Sequence, residues 1–178
     1  MKMEFRGTTI IGIEKDGKHV IAGDGQATLN DVVFKAHSKK VKRIYNDQIL
    51  VGFAGGAADA ITLCDKFEKS LQKYSGNLLR SAVELAQQWR GDEGLRKLEA
   101  TMIVADKENM LIVNGNGDVL EPDGGLCAIG SGGNYAYAAA KALKENTNLS
   151  AREIAEKAMK VAGEMCVYTN TNVIVEEI

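Results

Sequence analysis

The first third of the chain is written in short β-rich runs separated by polar turns. Thr8–Ile13 and Lys18–Ala22 flank Lys15-Asp16-Gly17, and Asp-Gly between two such runs marks a tight hairpin. Val32–Phe34, Val41–Tyr45 and Ile49–Phe53 follow, the last two parted by Asn46-Asp47. The period then lengthens. Ala60, Cys64, Phe67, Leu71 and Tyr74 recur at helical spacing, as do Leu79, Ala82, Val83, Ala86 and Trp89. Two successive amphipathic helices are predicted, split near Ser75-Gly76-Asn77.

Strand character resumes at Ala100–Ala105 and Met110–Val113, turns at Asn114-Gly115-Asn116-Gly117, and returns at Asp118–Leu120 and Leu126–Ile129. A second helix pair follows. Its first member is the alanine-rich Tyr135–Leu143; its second opens on the capping box Ser150-Ala151-Arg152-Glu153 and carries the stripe Ile154, Ala158, Val161, Met165. Val173–Ile178 reads as a closing strand. Strands grouped apart from helices disfavour a doubly wound parallel sheet, which needs alternation. Each helix pair has one apolar stripe to bury, and two stacked sheets offer two outer faces. The expected fold class is therefore α+β, a four-layer αββα sandwich.

Composition narrows the functional classes. A chain of 178 residues fits one domain, and 45% hydrophobic with 26% charged residues is an ordinary globular balance. A net charge of −2 gives no support to wholesale binding of nucleic acid or membrane surfaces. No apolar run approaches the ~20 residues of a spanning helix. Lys2 is followed by no long apolar segment, so no export signal is read there and a cytoplasmic location is expected. Cys64, Cys127 and Cys166 are far apart and form no CxxC; they read as buried small hydrophobes in a reducing compartment.

Candidate chemistry centres on Gly7-Thr8-Thr9. Cleavage of the Gly7–Thr8 bond would leave Thr8 with a free α-amine beside its hydroxyl, placing nucleophile and base on one residue. An α-amine titrates near ~7.7–8.0, against ~10.4 for lysine, which suits a base working near neutrality. His19 and His37 are the only histidines and neither sits in a nucleophile motif, so a hydrolase of this composition needs another base. On the tripeptide alone, an edge strand opening on Gly-Thr-Thr is the favoured account. Gly55-Gly56 and Gly130-Ser131-Gly132-Gly133 each join a strand to a helix, where backbone N–H groups can face a developing oxyanion or simply pack a tight turn. The second lacks both a Walker lysine and the GxGxxG spacing. Lys39, Lys40, Lys42 and Arg43 form a basic run in which strand alternation sends Lys40 and Lys42 to one face; a solvated edge is the cheaper account, with one lysine reaching an interior site the alternative. Asp24, between Gly23 and Gly25, is either turn chemistry or a lysine's partner.

Taken together, the strings Thr8-Thr9-Ile10, Ile21-Ala22-Gly23-Asp24-Gly25-Gln26-Ala27-Thr28-Leu29, Gly52-Phe53-Ala54-Gly55-Gly56-Ala57-Ala58-Asp59-Ala60, Ala128-Ile129-Gly130-Ser131-Gly132-Gly133 and Val167-Tyr168-Thr169-Asn170 resemble the peptidase-subunit family of bacterial two-component, proteasome-like proteases. The likeness runs from Thr8 to the C-terminus. It implies an N-terminal-nucleophile hydrolase and a threonine peptidase, with 1–7 a short leader removed by self-cleavage and 8–178 a single domain. By that resemblance Thr8 is the nucleophile, Lys40 the active-site lysine, Asp24 its acidic partner, Gly55 the oxyanion N–H donor, and Ser131 a support for the amine. Gly163, Cys166 and Thr169 match positions whose backbone carbonyls hold a sodium ion. The family forms two stacked six-membered rings and works with a ring-shaped AAA+ unfoldase ATPase, so the ATP is the partner's. Phe53 would line the pocket for the residue before the scissile bond, and Lys35 and Lys42 match positions receiving the ATPase's tails. A small-molecule amidase of the same nucleophile class, a non-catalytic ring subunit and a nucleic-acid-binding module are the rival readings.

Overall fold

Two antiparallel sheets stacked face to face carry the molecule, each covered on its outer side by a pair of helices. The computed structural model describes residues 5, 6, 8–30, 32–98 and 100–178. The strands are β1 (Phe5–Arg6), β2 (Thr9–Lys15), β3 (Lys18–Gly23), β4 (Ala27–Leu29), β5 (Val32–Lys35), β6 (Val41–Ile44), β7 (Ile49–Ala54), β8 (Thr101–Ala105), β9 (Met110–Asn114), β10 (Val119–Leu120), β11 (Leu126–Gly130) and β12 (Ile174–Glu177). The helices are α1 (Ala57–Lys73), α2 (Leu78–Gly91), α3 (Gly133–Asn146) and α4 (Ala151–Met165). One sheet has the order β11-β2-β3-β12 and the other β10-β9-β8-β7-β6, while β1-β4-β5 form a small third sheet.

Strand alternation sorts the side chains into three cores. Ile11, Ile13, Val20 and Ala22 face α3 and α4, packing on Ala136, Ala140, Ile154, Ala158 and Met159. Ile49, Val51, Phe53, Met102 and Val104 face α1 and α2, packing on Phe67, Leu71, Leu85 and Trp89. The intervening positions Ile10, Ile21, Leu50, Ile103 and Ala105 meet between the sheets with Val41, Met110 and Cys127. Gly52 lets the sheets approach there: a Cβ on it would lie 2.5 Å from Ile10 Cγ2. The order of elements and the αββα layering are those expected from the sequence.

Local chemistry closes each element. Asp16 and Gly17 both take positive φ, as a type I′ hairpin demands, and β2 pairs with β3 across them. Ser75 and Gly76 do the same between α1 and α2, and Asn77 Oδ1 accepts from Arg80 N to cap α2. The Ser150–Glu153 capping box forms at α4. All three cysteines are buried and free.

The helix faces differ in phase from the predicted stripes. On α2 the buried residues are Leu78, Ser81, Ala82, Leu85, Ala86 and Trp89, while Leu79 and Val83 are exposed. On α4, Ile154 and Ala158 are buried as predicted, but Ala155, Met159 and Ala162 complete the face and Met165 is exposed. Alanines suffice inward because the helices pack close to the sheet, so larger residues one position away are left outside. The short β4, absent from the sequence reading, pairs with both β1 and β5. At the outer edge of β12, Arg152 Nη2 donates to Val175 O and Arg43 Nη2 to Glu177 O.

Candidate active site

Thr8 precedes β2 and is buried, and its carbonyl accepts a hydrogen bond from Ser131 N at 2.9 Å. This contact exists because Gly130, at the end of β11, adopts φ +89° beside it; a Cβ at that position would stand 1.8 Å from Thr8 O. The Gly130-Ser131-Gly132 turn thus wraps the Thr8–Thr9 backbone. Gly132 N donates to Thr9 Oγ1 at 2.9 Å, and the same hydroxyl lies 2.7 Å from Thr169 Oγ1. Gly7 lies outside the described residues, and with it the bond that self-cleavage would break.

Asp24 sits at the end of β3, its side chain fully buried, and is compensated from four directions. Oδ1 accepts from Lys40 Nζ at 2.8 Å and from Thr9 N at 2.9 Å. Oδ2 accepts from Gln26 N at 2.9 Å and Asn170 N at 3.3 Å. Lys40 Nζ also donates to Gln26 O. One carboxylate oxygen therefore bridges the lysine and the peptide amide immediately after Thr8, which brings Thr8, Asp24 and Lys40 into one cluster. Burial holds the Lys40 ammonium below its ordinary value of 10.5, and the attraction and hydrogen bond of Asp24 offset only part of that.

Lys40 stands just ahead of β6 and its carbonyl accepts from Phe53 N at 3.0 Å. That bond places Lys40 and the end of β7 together, so Gly55, with φ +149° in the turn before α1, lies at the same end of the sheet pair. The basic run does not follow simple alternation: in β6 Val41 is buried and Lys42 exposed, while Lys40, ahead of the strand, turns inward to Asp24 and Lys39 stays exposed. Lys35 is exposed, and Phe53 is buried in the core under α1 and α2. His37 is exposed; His19 is buried away from the cluster, and its Nδ1 has no hydrogen-bond partner among the described residues.

Residues 4–178 match the proteasome-subunit family. The chain belongs to that family. It is also similar to the crystal structure of HslV from Trypanosoma brucei, with 43% identity, a TM-score of 0.90, and coverage of 95% of this chain and 98% of that one. It is accordingly a proteasome-type peptidase subunit that resembles HslV, with the αββα fold of N-terminal-nucleophile hydrolases.

Within this HslV-type chain, Gly163, Cys166 and Thr169 line the C-terminal end of α4 and the turn after it. Cys166 N closes on Ala162 O, so the following carbonyls lie past the last helical bond. A Cβ on Gly163 would be 2.9 Å from Asn170 O, so α4 and the 169–170 backbone are in contact there. Carbonyl oxygens at the negative end of a helix are hard donors suited to a monovalent cation. Among the described residues no group of His, Cys, Asp and Glu side chains is disposed to hold a metal, so carbonyls are the donors on offer. Cys166 O already accepts from Thr169 N at 3.0 Å, and these carbonyls are of the donor type that a sodium ion takes.

Sequence reasoning assigned no role to Thr9, Gln26 or Asn170. Their contributions run through backbone groups and short polar side chains, which carry no spacing signal; only their inclusion in the resembling strings pointed toward them. Gly130→Ala is predicted to abolish peptidase activity and lower stability by about 1–3 kcal/mol, because alanine is strained at that φ and its methyl displaces the Thr8 carbonyl. Peptide hydrolysis and thermal unfolding check this; a variant with wild-type values for both contradicts it.

Proposed function

We propose that this chain is the peptidase subunit of an ATP-dependent, proteasome-like protease, cutting unfolded polypeptides with Thr8 as an N-terminal nucleophile. The observation that carries the reading is the buried Asp24–Lys40 pair bridged to the Thr9 amide, one peptide bond from the Thr8 side chain. A desolvated lysine beside a hydroxyl is the environment that favours an alkoxide. With 1–7 removed, the Thr8 α-amine takes the hydroxyl proton, directly or through a water, and Oγ attacks the scissile carbonyl. The Lys40 cation stabilises the developing charge on Oγ and holds down the proton affinity of the amine. The Gly55 N–H receives the oxyanion, and Ser131 supports the amine. The C-terminal product leaves with the proton, and water then hydrolyses the ester to free Thr8. Loss of the oxyanion donor costs ~10²–10³ in rate and loss of the base ~10²–10⁴.

The leader 1–7 is removed by the same nucleophile, Thr8 attacking the Gly7 carbonyl and water resolving the ester. Gly7 has no Cβ to screen that carbonyl. Assembly into two stacked hexameric rings is supported by a surface that a lone chain leaves bare: Val32, Val33 and Phe34 on β5 are more than half exposed. An HslU-type AAA+ ATPase feeds the chamber and consumes the ATP. No described helix is long and apolar enough to cross a membrane, and cytoplasmic action suits such a machine. A sodium ion held by the Gly163, Cys166 and Thr169 carbonyls would tie α4 to the turn that delivers the Thr169 hydroxyl to Thr9.

Three outcomes are expected. Intact mass of the purified protein shows loss of residues 1–7, and Thr8→Ala retains them and hydrolyses no fluorogenic peptide with or without the ATPase; an active protein with its leader attached defeats the mechanism. Activity falls on the alkaline side at a pH below 10.5, because the lowered Lys40 proton is lost there, and Lys40→Arg, whose cation persists above pH ~12, moves that limb upward while reducing kcat. Replacing sodium by choline at constant ionic strength lowers the thermal midpoint, whereas an unchanged midpoint excludes the ion.

A further inference from the structure

Asn170 makes more contacts around the Asp24–Lys40 pair than its place in a polar turn requires. Its Oδ1 accepts from Gly25 N and from Asn172 N, both at 3.1 Å. Its Nδ2 donates to Ala36 O at 2.9 Å, and its backbone N donates to Asp24 Oδ2. Two donors converge on the oxygen and a carbonyl faces the nitrogen, so the surroundings set the amide's orientation. Gly25 directly follows the acid. Ala36 begins the segment that leads to Lys40.

These two segments touch closely. Ser38 N donates to Gly25 O at 2.8 Å, and a Cβ on Gly25 would lie 2.4 Å from Ala36 O. Asn172 Nδ2 adds a second donor to Ala36 O at 3.0 Å. Backbone flanking the acid and backbone leading to the lysine are therefore clasped by one carboxamide arriving from the far end of the chain. The chemistry is specific to an amide. A carboxylate accepts from Gly25 N but repels the Ala36 carbonyl, serine is too short to span both groups, and alanine offers neither bond.

We propose that Asn170 is a positioning residue for peptide hydrolysis, clasping the Gly25 and Ala36 backbones so that Asp24 and Lys40 stay closed on each other beside Thr8. The proposal rests on the function given above. Without the clasp, Gly25 N–H loses its acceptor, water enters between the segments, and Lys40 drifts from Asp24. A displacement on the order of 1 Å at a catalytic group costs up to ~10²-fold in rate. The bonds of Asn170 go to the Gly25, Ala36 and Asn172 backbones and to Asp24, so the loss is expected on kcat and not on KM.

The test compares Asn170→Ala and Asn170→Asp with wild type in the assembled, ATPase-activated protein. Fluorogenic-peptide kinetics and amide hydrogen exchange over 24–26 and 36–40 are measured together. We expect kcat to fall roughly 10–100-fold in both variants with KM within about threefold. Exchange should quicken at both segments in Asn170→Ala, and at 36–40 alone in Asn170→Asp, with β7 and β8 unchanged. Wild-type kcat in both variants overturns the proposal, as does a fall in kcat accompanied by faster exchange throughout the core strands. If Asn170→Ala does not fold, Asn170→Asp carries the comparison. A wild-type protein that hydrolyses no peptide removes the function proposed above, while the exchange contrast still decides whether the clasp exists.

Discussion

A lysine and an aspartate with almost no exposed side-chain surface, 9% and 0%, impose the strictest demand on this chain. Burying each ion costs several kcal/mol unless every lone pair and proton is met. Four donors converge on Asp24 and a carbonyl joins it at Lys40, and they come from β2, from the turns after β3 and α4, and from the approach to β6. The pair forms only where both sheets and the turn after α4 are in register. The tertiary fold is in this sense a condition of the ion pair, and the pair reports on the fold.

The stacking of the sheets supplies that register. β2 and β3 bring Thr9 and Asp24 side by side, since Asp24 N donates to Thr9 O as the hairpin ends. β6 and β7 deliver Lys40 from the opposing sheet through the contact with Phe53 N. Small residues let the layers meet: Gly52 opposite Ile10 and Ile21 brings the sheets together, and Gly130 brings its turn onto Thr8. Bulk at either position separates pieces that the chemistry needs within hydrogen-bonding range.

Much of this was legible in the residues. Asp16-Gly17, Ser75-Gly76-Asn77 and Ser150–Glu153 mark turns and caps by local chemistry, which acts the same way in any context. Helix faces were less so. Leu79 and Val83 on α2 and Met165 on α4 are apolar yet exposed, and pattern alone cannot tell a core stripe from an outward one shifted by a single position. At the site, Thr8, Asp24 and Lys40 stood out as residue types, and the structure gathers them. The hydroxyl pair of Thr9 and Thr169, separated by most of the chain, was invisible because short polar side chains follow no period.

One further consequence lies at the free margin of β12. Val175 and Glu177 turn their carbonyls away from β3, and each is already occupied by a guanidinium, from Arg152 and Arg43. An open strand margin ordinarily recruits any extended backbone that passes. A bare margin would let such a backbone add itself to the sheet as an extra strand. With both acceptors spoken for, the carbonyls that would anchor an added strand at this margin are already engaged.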